Sequence, residues 1–322
     1  MNTPHNDPLS RPLNVCLLAA VSCLLWGSAA PVIKIGYGLL HISESQPWTM
    51  ILFAGCRFAL AGALVIAFSS LFSRRWMLPK RESWANVSKL ALVQTVGQYV
   101  LFYVGVANSS GVHSALLTGA SYLWAIVLAC FLFRQERMTP VKLLGCVLGF
   151  GGLLLMNLTG EGGGVTMAGE GALLISGLCG GLSSGMAKRY SRTENPVTLT
   201  GWQFLLGGLF MCACGLLGGG RLRVDSLAAA GVLGYLGMLS AVAYSLWTVL
   251  IKHNAVSAVS IYGFMTPVFG VGLSALLLGE VGQAFSMNTL AALVMVCAGI
   301  SAVNRFGDAP INDTKCHKYS PK

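Results

Sequence analysis

Apolar positions along this chain fall in long blocks separated by short polar breaks, and ten blocks, at roughly 17 to 25 residues, are long enough to cross a bilayer as helices. They run Leu13–Ile35, Pro47–Phe72, Trp84–Val106, Val112–Phe133, Pro140–Leu158, Gly171–Ala187, Val197–Leu217, Ala228–Ile251, Val259–Leu278 and Met287–Val303. The breaks carry turn and interface residues, as in RRWMLPKRES, RQERMTP, TGEGGG and RTENP. No hydrophilic stretch remains that is long enough for a soluble domain. The pattern predicts an all-α integral membrane protein of ten transmembrane helices, with short tails at 1–12 and 307–322.

Composition agrees, since 55% of the 322 residues are hydrophobic, 10% are charged and 40 are glycine, unlike a water-soluble domain. The polar start leads into an apolar block too long for a signal-peptide core, so it is expected to be retained. The net charge of +10 would raise the question of nucleic acid in a soluble protein. Here the basic residues sit in short clusters between apolar blocks, so the lipid bilayer is the expected partner and nucleic acid is not. Placing the N-terminus inside puts 17 of the 21 Lys and Arg on cytoplasmic flanks. Both termini are therefore expected in the cytoplasm and the protein in a cell inner (plasma) membrane, with Arg221 and Arg223 as exceptions in an outer loop. Of the ten cysteines, nine lie inside apolar blocks and none has metal-ligand spacing. They read as packing residues, with no metal or prosthetic group expected.

The chain also resembles itself. LTGWQFLLGGLF at Leu199 matches FAGCRFALAGAL at Phe53 with a shift of 146, aligning Arg57 with Gln203 and Gly62 with Gly208. GVHSALLTGASYLWAIVLACFLFRQE matches AVSAVSIYGFMTPVFGVGLSALLLGE with a shift of 144, aligning Glu136 with Glu280. WGSAAPVIK and GGLSSGMAK align Lys34 with Lys188. The halves are 13–158 and 171–306, joined by a loop at 159–170. Five spans in each half is an odd number, which forces the copies into opposite orientations, an arrangement used for alternating access around a midplane site.

These residues resemble the drug/metabolite transporter superfamily, EamA type. The resemblance covers Leu13 to about Phe306 and is carried by LLWGSAAPVIK, by RFALAGAL, by the small-residue run into RQE, and by MTPVFGVGLSALLLGE. It implies two inverted five-helix repeats, a secondary transporter that commonly exports amino acids or other small metabolites, and a central cavity walled by helices one, three, four, six, eight and nine. In the first repeat Leu123 stands where the family usually has proline, which argues against a matching kink there.

Arg57 sits about ten residues into the second block, where a charge costs at least ~2.5 kcal/mol. It is expected to face protein or a wet cavity, either tying helices together or contacting an anionic ligand group. Lys34, near the outer end of the first block, is an interfacial lysine or a second anion contact. Gln94 and Gln98 stack at i, i+4 with Tyr99 beside them, a pattern able to hold a polar metabolite or to bond neighbouring helices. Thr118 and Tyr122 in the fourth block and Tyr262 and Thr266 in the ninth occupy equivalent repeat positions and read as paired walls. Trp26, Tyr244 and Trp247 add aromatic surface for an amphipathic ligand. Acidic residues are confined to tails, loops and helix ends, and His113 alone approaches a relay position, which favours facilitated exchange or uniport over proton coupling. The glycine runs at Gly149–Gly152 and Gly177–Gly185 allow close approach and sliding.

GLSSG, Gly181 to Gly185, formally matches the hydrolase G-x-S-x-G, but lies in a helical block instead of a strand-to-helix turn. The reading is a transporter for a small-molecule substrate, with amino-acid export first, then import or exchange of a nucleobase or sugar derivative or multidrug export, and an intramembrane hydrolase last. A monomer suffices to enclose such a pocket, and a homodimer is compatible with it.

Overall fold

The computed structural model describes residues 8–43, 45–158, 166–263 and 265–306. The first part of the N-terminal tail, the whole C-terminal tail and most of the loop between the halves lie outside the described residues. Among the described residues the chain is helical, with no strand. Besides several short helical segments, the longer helices are α1 (Pro12–Leu39), α2 (Pro47–Ser73), α3 (Arg81–Ala107), α4 (Gly111–Phe131), α5 (Pro140–Leu158), α6 (Ala172–Tyr190), α7 (Pro196–Leu217), α8 (Leu227–His253), α9 (Val256–Leu278) and α10 (Met287–Phe306). Seven of these, α1 to α4 and α7 to α9, are long and apolar enough to cross a membrane. The other three are shorter.

Local signals set the starts. Proline opens α1, α2 and α7, where its missing N–H costs nothing. The Asn195 carboxamide oxygen accepts from the Val197 N–H at 2.9 Å and the Thr198 N–H at 3.3 Å, and the Ser226 hydroxyl accepts from the Ala229 N–H at 3.1 Å. α3 contains a π-helical turn at Ala91–Gly97, a widened segment of a kind common at functional sites.

Many large apolar side chains, among them Leu17, Phe72, Leu143, Phe210 and Leu276, lie on the surface. That is the expected outer face of a bundle solvated by lipid. The interior is held by close helix pairs. α2 and α7 run antiparallel in backbone contact: a methyl on Gly62 would lie 2.4 Å from the Leu205 nitrogen, and one on Gly208 2.2 Å from the Ala59 nitrogen. Only glycine permits that approach. α1 packs against α8 and α9, α4 against α6 and α9, and α5 against α10.

Candidate functional site

In the middle of the bundle α1, α2, α3, α4, α6 and α8 line a cavity of about 70 Å³, several times the ~10–15 Å³ that one water requires. α1 supplies Trp26, α2 supplies Arg57, and α3 supplies Gln94, Gln98, Tyr99 and Phe102, the first of these from the π-helical turn. Thr118, Ser121 and Tyr122 come from α4, and Tyr244 and Trp247 from α8. Opposite them α6 presents Ser176, Gly177, Gly180, Ser183 and Ser184 beneath Leu173.

Arg57 is fully buried. Its Nε donates to the Leu236 carbonyl at 3.2 Å and to Ser240 Oγ at 2.9 Å, and Nη1 donates to the Tyr103 hydroxyl at 3.0 Å. The guanidinium carbon lies 4.9 Å from the centre of the Phe58 ring and 5.7 Å from that of Tyr99, so aromatic faces offset part of its desolvation. Nη2 has no protein partner. Arg57 thus ties α2 to α3 and α8, the first of the two sequence alternatives, and the residue lines the cavity with one guanidinium nitrogen unbonded.

The aromatic wall is contiguous: the Trp26 ring lies 4.8 Å from Tyr244, 4.9 Å from Trp247 and 6.5 Å from Tyr122. The Tyr99 and Tyr244 hydroxyls hydrogen-bond to each other. Gln98 leaves its Oε1 without a partner, as Trp26 does its Nε1. The cavity therefore offers a cation, two glutamine amides, several hydroxyls and aromatic surface, and no carboxylate among the described lining residues.

Nine of the twelve residues singled out from the sequence meet in this cavity: Trp26, Arg57, Gln94, Gln98, Tyr99, Thr118, Tyr122, Tyr244 and Trp247. Thr266 stands behind its wall, hydrogen-bonded to the Tyr122 hydroxyl at 2.7 Å. Tyr262 packs against the core beside α1, where its carbonyl accepts from Cys23 Sγ at 3.3 Å. Lys34 lines a separate recess with Tyr37, Ser43 and Val106. Tyr37 ties that recess to α3, because its hydroxyl donates to the Tyr103 carbonyl at 3.0 Å. The serine face of α6 was read from sequence as packing. The hydroxyls of Ser183 and Ser184 both donate to the Gly180 carbonyl, at 2.8 and 3.0 Å, so the G-x-S-x-G match is a helical turn.

The EamA-like transporter family model matches residues 13–158 and 167–305, nearly the whole bundle. The chain belongs to this family. It is similar to an uncharacterized inner membrane transporter, YedA, of Escherichia coli strain K12, with 27% identity over 80% of each chain. An uncharacterized transporter of Archaeoglobus fulgidus is 25% identical over 79% of this chain and 85% of its own. A WAT1-related chloroplastic protein of Arabidopsis thaliana is 25% identical over 85% of this chain and 68% of its own. The fold matches a crystal structure, described only as that of a protein, with a TM-score of 0.67 and 18% identity, covering 90% of this chain and 97% of the other. This EamA-like protein is therefore a multi-pass membrane transporter, and the central cavity is its candidate ligand site.

Proposed function

We propose that this transporter moves small amphipathic metabolites bearing a carboxylate, amino acids foremost, outward across an inner membrane. The observation that carries the reading is Arg57: a buried guanidinium with one unpartnered nitrogen at the wall of a cavity whose described lining contains no carboxylate. A ligand carboxylate would supply the missing charge and bond. The ammonium of an amino acid would be met by the Gln98 oxygen and by aromatic faces.

The proposed mechanism is alternating access by ten spans arranged as two inverted halves, 13–158 and 171–306, with Lys34 as a second anion contact along the path. Reciprocal contacts support the inversion: Gly62 meets Leu205 while Gly208, its counterpart at the shift of 146, meets Ala59, the counterpart of Leu205. Cytoplasmic termini follow from the distribution of basic residues. Facilitated exchange or uniport is the energetic mode that a lining without carboxylates favours.

A counterflow screen in proteoliposomes, across amino acids, nucleobases and permanent organic cations, tests the reading. Carboxylate-bearing ligands should exchange and compete with one another, with affinity reduced about tenfold or more when Gln98 or Tyr122 is replaced by Ala. Robust transport of a permanent cation without competition from amino acids would overturn it.

A further inference from the structure

α4 and α9 form a second antiparallel pair, and their ends are joined by carboxylates. Glu280, just past the end of α9, accepts the N–H groups that open α4: Gly111 at 3.1 Å to Oε1 and Val112 at 2.9 Å to Oε2. Glu136, just past the end of α4, accepts the Ser257 N–H that opens α9 at 3.1 Å, together with the Ser257 hydroxyl. The two glutamates are counterparts in the internal repeat, so each helix ends in the group that caps the other. α4 is 21 residues long, so the caps stand about 30 Å apart. Between them the Tyr122 ring lies on the backbone of Gly263, where an added methyl would fall 2.2 Å from Cδ1, and the Tyr122 hydroxyl bonds Thr266.

We infer that Glu280 and Glu136 are reciprocal latches holding shut opposite ends of the transport path, with the Tyr122–Gly263–Thr266 contact as their fulcrum. Tyr122 also lines the ligand cavity, so the fulcrum lies at the site whose exposure must alternate. Parting α4 from α9 at one end breaks one carboxylate's bonds and presses the other end together. The two latches are unequal. Glu136 holds an N–H, a hydroxyl and the Lys142 ammonium at 2.9 Å, and at the same end Lys188 of α6 donates to the Ile251 and Asn254 carbonyls closing α8 at 2.8 and 2.6 Å. Glu280 takes two backbone N–H groups. The inference rests on the alternating-access reading but not on the substrate, and its test needs no ligand.

Hydrogen–deuterium exchange of the full-length protein in nanodiscs reads both ends at once. Glu280→Gln leaves one acceptor oxygen for two N–H donors. It should speed exchange over residues 108–115 about tenfold, as loss of a charge-assisted bond implies, and slow it over 254–260. Glu136→Ala should do the reverse. Should Glu136→Ala fail to fold, Ser257→Ala removes the hydroxyl half of the same latch and is read in the same way. Exchange that changes only at the substituted end, rises at both ends or changes at neither overturns the inference, because independent helix caps carry no reciprocal response. Failure of the wild-type protein to transport carboxylates, with the reciprocal exchange response intact, would count against the proposed substrate and leave the latches standing.

Discussion

Replacing Arg57 by Met, alone and with Tyr103→Phe, separates the packing role of this arginine from its ligand role. Three hydrogen bonds fix the guanidinium to α3 and α8, and interhelical bonds in membranes average ~0.6 kcal/mol, which makes roughly 2 kcal/mol together. Against this stands a cost of ~2.5–3.5 kcal/mol for a charge in mid-membrane, so the native arginine is close to neutral for stability. Ser240 Oγ already donates to the Leu236 carbonyl at 3.0 Å, so those two groups satisfy each other once Arg57 is gone. The Tyr103 hydroxyl loses its partner, at about 1–3 kcal/mol. Arg57→Met should therefore destabilise by about 1–2 kcal/mol, and the double variant should return to within about 1 kcal/mol of the wild type, as a volume-matched apolar replacement does. Thermal melting in detergent measures the first quantity. Equilibrium binding of a carboxylate ligand measures the second, which should weaken roughly 10- to 100-fold in both variants. A double variant that unfolds, or one that binds the carboxylate as the wild type does, refutes the reasoning.

Gly208→Ala places a methyl 2.2 Å from the Ala59 nitrogen and should cost about 1–3 kcal/mol by forcing α2 and α7 apart; Gly234→Ala, with no neighbour within 4 Å, should melt as the wild type does. Burial opposes the charge on Glu136, Glu170 and Glu194. Bonds from Ser257 and Lys142 to the first, from Thr166 and Ser109 to the second and from Lys80 and Asn195 to the third outweigh it, holding all three below the ordinary carboxylate value of 4.5. The unfolded chain thus takes up protons first, so the stability these groups contribute is present above that value and is lost as pH falls below it through their folded-state values. Melting temperatures followed from pH 7 into that acid range should fall, and the fall should shrink in a Glu136→Gln/Glu194→Gln variant; an unchanged slope contradicts the assignment.

Much of the helical fold was legible because lipid imposes one rule on the sequence: a spanning helix needs a long apolar run, and breaks between runs must fall in water. The proposed repeat has a physical reading of the same kind, since Gly62 and Gly208 answer to one packing demand at equivalent points. The candidate site was only partly legible. Periodicity places Gln94 and Gln98 on one face, but the π-helical turn that carries Gln94 to the cavity wall leaves no sequence mark. Thr266 and Tyr122 read as equivalent walls, yet a single hydrogen bond between them leaves one facing the cavity and the other behind it. The partners of Arg57 on α8 lie 179 and 183 residues away and are ordinary in sequence, a carbonyl and a serine. The serines of α6 were hidden by their glycine neighbours, because small residues that admit close helix packing look the same as small residues that line a cavity.

The central claim is that two five-helix halves lie upside down relative to each other around the cavity. Accessibility of epitope tags placed at the N-terminus, in the loop at 218–225 and at the C-terminus of the full chain, read in sealed vesicles of known sidedness, tests it most directly. The account predicts both termini on the cytoplasmic side and the loop on the opposite side. Termini on opposite sides of the membrane would contradict it.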